Sequence, residues 1–490
     1  MRLLLCLFIL SVFGACTRPV TEQGAVPRFE IARKPPVMPN KETPYTFGYL
    51  TVPESRDRAN GRQLKLPVYR FQSRSANPAP DPVVLTFGGP GSSSLSAAAY
   101  MKYYRYLDDR DLILFEQRGT RYARPHLACP EWGQVSDQLA GTQASAEEWN
   151  AAYVAAATAC RDRLEKTGVD LNAYRTLAIA QDIEDLRKAL KLEKINLLTT
   201  SYSTKIAQVM MREFPDGLRS VVMDSALPLA ASWGASSSTN LMELLGQIFR
   251  DCADNPDCAA AYPDLEERFT DYLKTLNERP VVVRVGDREP QKTFTFSAVE
   301  VIELLSGIST GEVPGIPRQM AALMAGDISL LEDQARQLAG GGSTGEGMGM
   351  RLSVWCAEET AFTTPAAVKE ERNKHDLLRD RSPLVFSYEV CRSWGVDAAA
   401  ARENVPVKSD VPVLFITGTY DAITPPKWAE EMSKTLPNSH QLNFPGWTHG
   451  PITNWSNPCA MEAANAFFNA PTKKPDLPCY ADLPQPVAFE

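Results

Sequence analysis

A serine, an aspartate and a histidine, in that chain order, are the residues of this sequence best placed to do chemistry together. A serine hydroxyl is a weak nucleophile until a base takes its proton. The base in turn needs a carboxylate to hold its tautomer and steady the imidazolium. Ser201 stands between an apolar run, Ile195-Asn196-Leu197-Leu198-Thr199-Thr200, and a segment with helical spacing, Ile206, Val209, Met210. Asp421 closes Thr417-Gly418-Thr419-Tyr420-Asp421, just past the apolar run 411–418, and His449 closes Phe444-Pro445-Gly446-Trp447-Thr448-His449, just past the next one. Each has a bland reading by itself: Ser201 or Ser203 as a helix cap, Asp421 as a turn residue before Pro425 and Pro426, His449 as a loop histidine. Chain order and shared placement after a strand single out the three. His126 follows an early strand, His375 lies in the mainly helical stretch and His440 precedes its strand, so none suits the role as well. The tetrahedral intermediate also needs backbone N–H donors. Phe87-Gly88-Gly89-Pro90-Gly91 follows an early strand and lets the backbone come close, so Gly89 N–H and Tyr202 N–H are the candidate oxyanion hole. An ordinary Gly-Pro turn satisfies the same letters.

The elements that must position these residues read as alternating strands and helices. Segments 45–52 and 63–71 predict an antiparallel pair, and 83–87 and 111–115 predict buried strands. Helical periodicity fills 146–164 and 179–190, the first opening with Ser145 and Glu148 spaced as a capping box. The Ser201 unit and a strand over 218–224 follow. From about 240 to 402 the pattern is mainly helical, broken by Val281–Val285 and by a glycine-rich run, 340–349, whose composition suggests a surface linker. Strand grammar returns at 411–418, then a helix over 426–436, a strand over 440–444 and a helix over 454–468. This predicts an α/β protein: a mostly parallel central sheet with a mainly helical lid inserted before the last strands.

Composition narrows the rest. A net charge of −8 argues against nucleic acid as a partner. With four histidines, no His-Glu-x-x-His and no paired Cys-x-x-Cys, neither a metal nor another cofactor is expected. Met1-Arg2, the apolar run 3–13 and Gly14-Ala15-Cys16 describe a secretory signal. Small residues before Cys16 resemble a bacterial lipoprotein cleavage site, which makes Cys16 the lipidated residue and the lipid the only membrane contact. Eight cysteines then remain for an oxidising compartment. Sequence leaves their connectivity open; loop-local pairing joins Cys129 to Cys160, Cys252 to Cys258, Cys356 to Cys391 and Cys459 to Cys479.

Taken together, strand-Gly-Gly-Pro-Gly, Gln117-Arg118-Gly119-Thr120, Gln181 to Arg187, Ser201-Tyr202-Ser203-Thr204, Phe214-Pro215-Asp216, Asp224, Gly418 to Pro426 with Trp428, and Trp447-Thr448-His449-Gly450 resemble the tripeptidyl and prolyl aminopeptidase group of α/β-hydrolases. The resemblance implies an exported serine exopeptidase acting on peptides with a free N-terminus, with Ser201 as nucleophile, His449 as base and Asp421 as its partner. The organisation expected is a signal over 1–16, a tether over 17–41, a core over 42–235 and 406–490, and a lid over 236–405. Acidic lid residues hold the substrate ammonium in this family, and Trp355-Cys356-Ala357-Glu358-Glu359 resembles such a segment, so Glu358 or Glu359 is the candidate clamp. The alternative for that pair is two solvated glutamates.

The chain departs from the family pattern at Phe87, where histidine is common, at Glu116, where aspartate is usual, and at Thr199 and Ser203, which replace the two glycines flanking the serine. Crowding by the β-branched Thr199 is expected to cost on the order of 1–3 kcal/mol. Two rival functions follow from these departures: an esterase or amidase on a non-peptide acyl group, and an inactive peptide-binding lipoprotein.

Overall fold

The computed structural model describes residues 27–58, 61–142, 144–286, 291–342, 344–378, 386–484 and 487–489. The expected signal segment, Cys16 and the first part of the tether lie outside them. Nine strands form one sheet: β1 Arg28–Ile31, β2 Tyr45–Pro53, β3 Gln63–Phe71, β4 Val83–Thr86, β5 Leu112–Phe115, β6 Ile195–Thr200, β7 Leu218–Asp224, β10 Val413–Gly418 and β11 Ser439–Phe444. Their order is β1-β2-β3-β5-β4-β6-β7-β10-β11. The pairs β1–β2, β2–β3 and β3–β5 are antiparallel, and every other pair is parallel. The later part of the expected tether is therefore not a free spacer. Arg28–Ile31 pairs with Gly48–Thr51 and covers what would be an open strand edge.

The central strands β4, β5, β6 and β10 are buried along their whole length, as parallel strands covered on both faces must be. Successive residues enter opposite cores. Val84, Ile113, Leu197, Val221 and Phe415 pack beneath one helical layer, whereas Val83, Leu85, Leu112, Leu198, Leu414 and Ile416 pack against the other, which includes Cys459–Asn469. The capping box predicted at Ser145 forms: Ser145 Oγ accepts from Glu148 N at 3.2 Å and Ser145 N donates to Glu148 Oε2 at 2.7 Å.

Between β7 and β10 the chain leaves the sheet. This insertion opens with the helix Trp233–Asp254 and holds its own apolar core around Leu245, Ile248, Phe269, Leu273 and Ile302. It also contains a hairpin, β8 Val281–Val285 paired with β9 Lys292–Phe296; alternation over only five residues of mixed polarity hid the second strand. The glycine-rich run differs from the linker expected of it. Gly345 and Gly347, at φ +67° each, pack against Cys129 and Gly91, where a Cβ at Gly347 would collide with the Gly91 backbone. The helix expected over 454–468 begins at Cys459, because Pro458 disfavours helical backbone in the residue before it.

Candidate active site

Strand register builds the site. Thr86 lies opposite Thr199, Thr200 opposite Asp224, Asp224 opposite Ile416, and Gly418 opposite Phe444. The carboxyl ends of five neighbouring strands thus lie within a few residues of one another, and the segments that leave them open on one edge of the sheet, where parallel folds place their ligands.

Ser201 leaves β6 at φ +60°, a conformation that non-glycine residues adopt only under strain, and the helix Ser203–Glu213 begins two residues later. The turn is held by its own amides: Ser201 N donates to Asp224 O at 2.9 Å and Thr204 N to Ser201 O at 2.9 Å. Both unusual flanking residues are put to use. Ser203 Oγ accepts from Thr200 N at 2.8 Å and reaches Thr86 O and Thr200 O at 2.8 and 2.9 Å. Thr199 Oγ1 donates to Val222 O at 3.1 Å, so its hydroxyl bonds to β7. The crowding expected of Thr199 against the helix is replaced by a hydrogen bond to the neighbouring strand.

His449 and Asp421 meet as their chain positions suggest. His449 Nδ1 is 2.8 Å from Asp421 Oδ2. Asp421 also accepts from Ile423 N, Thr424 N and Thr424 Oγ1 at 2.9, 2.8 and 2.7 Å. Burial opposes the charge on Asp421, yet His449 and these donors hold its carboxyl below the ordinary aspartate range. Burial likewise opposes the imidazolium, and Asp421, with help from Asp224, outweighs it and raises His449. A methyl at Gly450 would lie 3.8 Å from both Thr200 Cγ2 and Asp224 Oδ2, so the loop carrying His449 rests on the turn carrying Ser201. Among the described residues, neither Ser201 Oγ nor His449 Nε2 has a hydrogen-bond partner within the protein.

The candidate oxyanion donors flank Ser201 in the chain and in the loop that packs on it. Gly88 must be glycine: a Cβ there would lie 2.7 Å from Tyr202 N and 2.8 Å from Ser201 Cβ. Gly89 follows at φ +112°. Among the described residues neither Gly89 N–H nor Tyr202 N–H donates to a protein acceptor. Glu116 shapes this loop from beneath, accepting from Ser93 Oγ at 2.9 Å, Leu95 N at 3.2 Å and Tyr122 N at 3.1 Å. Gln117 ties in Thr86 Oγ1 and Phe87 O at 2.7 and 2.6 Å. Arg118 and Asp182, both fully buried, form a two-pronged pair at 2.7 and 2.6 Å.

Glu358 and Glu359 depart from the expected clamp. Glu359 Oε1 pairs with Lys205 of the helix that follows Ser201, and Glu359 Oε2 accepts from Trp233 N at 3.2 Å. Glu358 accepts from Thr176 N at 2.7 Å and Thr176 Oγ1 at 2.5 Å, and burial pushes its carboxyl up to about 7. Both are buried with their oxygens taken, so they brace the insertion against the core and offer no free carboxylate to an ammonium. The surroundings of two residues that the resemblance includes, Thr424 and Asp224, escaped the sequence reading. Thr424 bonds both Asp421 and His449 Nδ1, and its Asp-x-x-Thr spacing was a usable turn signal. Asp224, buried beside them with no partner on either carboxyl oxygen, left no local signal.

The sequence was compared with known proteins. A family profile described as "alpha/beta hydrolase fold" matches residues 81–254, and one described as "TAP-like protein" matches 382–479. "Serine protease Hip1" of Mycobacterium tuberculosis is 23% identical over 87% of this chain and 86% of its own. "Tripeptidyl aminopeptidase" of Streptomyces lividans is 23% identical over 88% and 82%. "Proline iminopeptidase" of Heyndrickxia coagulans is 23% identical over 50% and 69%.

Proposed function

From a chain that carries the α/β-hydrolase fold and a TAP-like C-terminal segment, we propose a serine exopeptidase that removes residues from the free N-termini of peptides. Ser201 attacks the scissile carbonyl, His449 takes its proton, and Asp421 holds the imidazole through Nδ1. Gly89 N–H and Tyr202 N–H receive the oxyanion. His449 returns the proton to the leaving amine, and water then hydrolyses the acyl-enzyme by the same route. The observation that carries this reading is Ser201 at φ +60° at the carboxyl end of β6, with His449, held by Asp421 at 2.8 Å, on the loop that follows β11 at the same edge of the sheet. Relatives named tripeptidyl aminopeptidase and proline iminopeptidase support peptides as substrates.

The test is a fluorophosphonate probe together with peptides that are either free or acetylated at the N-terminus. The expected result is covalent label on Ser201, lost in Ser201→Ala, with hydrolysis of the free peptides only. Labelling with cleavage of simple esters alone would favour the esterase rival. No label on the folded protein would favour the inactive binder.

The same reading places the protein outside the cytoplasm, held by lipid on Cys16. Its support is the apolar run ending in Gly14-Ala15-Cys16 and eight further cysteines that pair. Among the described residues no helix is long and apolar enough to cross a membrane. Cys16→Ser should move the protein from the membrane fraction to the soluble one; retention at the membrane would remove the anchor.

A further inference from the structure

We propose that an aromatic, cationic groove running away from His449 holds the leaving portion of the substrate and favours peptides with an aromatic side chain shortly past the scissile bond. This deepens the aminopeptidase reading and rests on it. The chemistry sets the direction. As the bond from Ser201 Oγ to the acyl carbon forms and the carbon–nitrogen bond breaks, the serine proton passes through His449 to the departing nitrogen, which leaves as a neutral amine. The departing chain must therefore start beside His449.

A cavity of about 540 Å³ lined by Asp421 and His449 extends to Asn454 and Trp455. Those last two residues also line a second cavity, of about 660 Å³, whose other walls include Tyr100, Lys102, Tyr103 and Arg105. The two cavities share Asn454 and Trp455 as walls. The Trp455 indole is 49% exposed, and the rings of Tyr100 and Tyr103, 55% and 54% exposed, lie 6.2 and 6.3 Å from it. Buried Tyr104 packs edge-on to the indole at 5.2 Å and holds it in place. Three large aromatic groups left half in water next to the cavity that His449 lines form a rigid contact surface that costs little side-chain entropy to use.

The charge fits a peptide's far end. Arg74, Lys102 and Arg105 line the second cavity against one carboxylate, Asp108, on a chain whose net charge is −8. Arg74 is committed to Asp108 at 2.7 Å. Arg105 has carboxylates only at 3.7 Å, and Lys102 Nζ lies over the Tyr103 ring at 4.9 Å. Those two cations complement the terminal carboxylate of a short leaving peptide.

The experiment holds the acyl part of one cleaved peptide constant and varies what departs: ammonia, glycyl-glycine or a phenylalanine-containing dipeptide. Wild type should favour the phenylalanine over the diglycine leaving group by about tenfold or more in kcat/KM. Trp455→Ala and Tyr103→Ala should each bring that ratio close to one. Lys102→Glu should erase any preference for a free over an amidated C-terminus. Each reading is a ratio within one variant, so partial loss of folded protein cancels. A wild type that cleaves all three without discrimination overturns the groove and leaves the aminopeptidase reading standing. Failure to cleave any of them overturns both. Unchanged ratios in the variants, with Trp455→Ala losing affinity for anionic phospholipid vesicles, would assign the surface to a membrane and overturn the proposal.

Discussion

Two buried carboxyl groups stand near His449, and their surroundings push them in opposite directions. Asp421 accepts four hydrogen bonds, one of them from the imidazole, and its carboxyl is held below the ordinary range. Asp224 has no partner on either oxygen among the described residues, and burial pushes its carboxyl well above the ordinary range. Asp421 is therefore the partner that holds the imidazole, whereas Asp224 lies near it without a hydrogen bond to it. Asp421→Asn, which puts the wrong tautomer on His449, should lower kcat by roughly 10⁴. Asp224→Asn breaks no hydrogen bond to the imidazole and should cost less than about tenfold; equal losses in the two variants would refute the assignment. The imidazole predicts a pH profile as well. His449 is raised above its ordinary value of 6.5, and only its neutral form can take the serine proton. The acidic limb of kcat/KM should therefore fall away as pH drops through a midpoint above 6.5. A midpoint below that value in the free enzyme would count against Asp421 as the dominant neighbour.

At the scale of elements, the turn after β6 has traded its glycines for hydrogen bonds. Ser203→Gly restores the usual small residue but removes the acceptor of Thr200 N and the hydroxyl that reaches β4. It should destabilise the protein by about 1–3 kcal/mol without raising kcat, read from chemical denaturation beside steady-state rates. The junction between insertion and core behaves similarly. Glu359→Gln leaves Lys205, itself buried, without its counter-charge. Removing one partner of a buried pair costs about 3–5 kcal/mol, so a marked drop in Tm is expected. Full stability, with a raised KM for free-amine peptides alone, would restore Glu359 as the ammonium clamp.

For the whole molecule, four disulfides tie segments that the sheet does not: Cys129–Cys160, Cys252–Cys258, Cys356–Cys391 and Cys459–Cys479. Their closures differ, spanning 31, 6, 35 and 20 residues. Chain entropy makes the long closures worth about 3–4 kcal/mol and the six-residue one about 2. Replacing both cysteines of Cys129–Cys160 by serine should therefore lower stability more than the same change at Cys252–Cys258, as measured by denaturant midpoints. The reverse order would show that native packing, not chain entropy, sets their contribution.

The order of strands and helices and the chain order Ser201, Asp421, His449 are written locally; the disulfide connectivity was open in the sequence, and the structure adopts its loop-local form. Apolar runs such as Leu112–Phe115 and Val413–Gly418 bury both faces whatever surrounds them, and nearby cysteines close short loops at least entropic cost. What needed tertiary structure were the relations between elements distant in the chain. Whether Glu359 faces an ammonium or Lys205 depends on how the insertion seats on a helix 154 residues away. Whether residues 340–349 link or pack depends on the backbone of Gly91, and whether Asp224 finds a partner depends on what its two neighbouring strands, β6 and β10, bring beside it. A charge takes its role from what lies within a few ångströms of it, and that distance is a property of the fold.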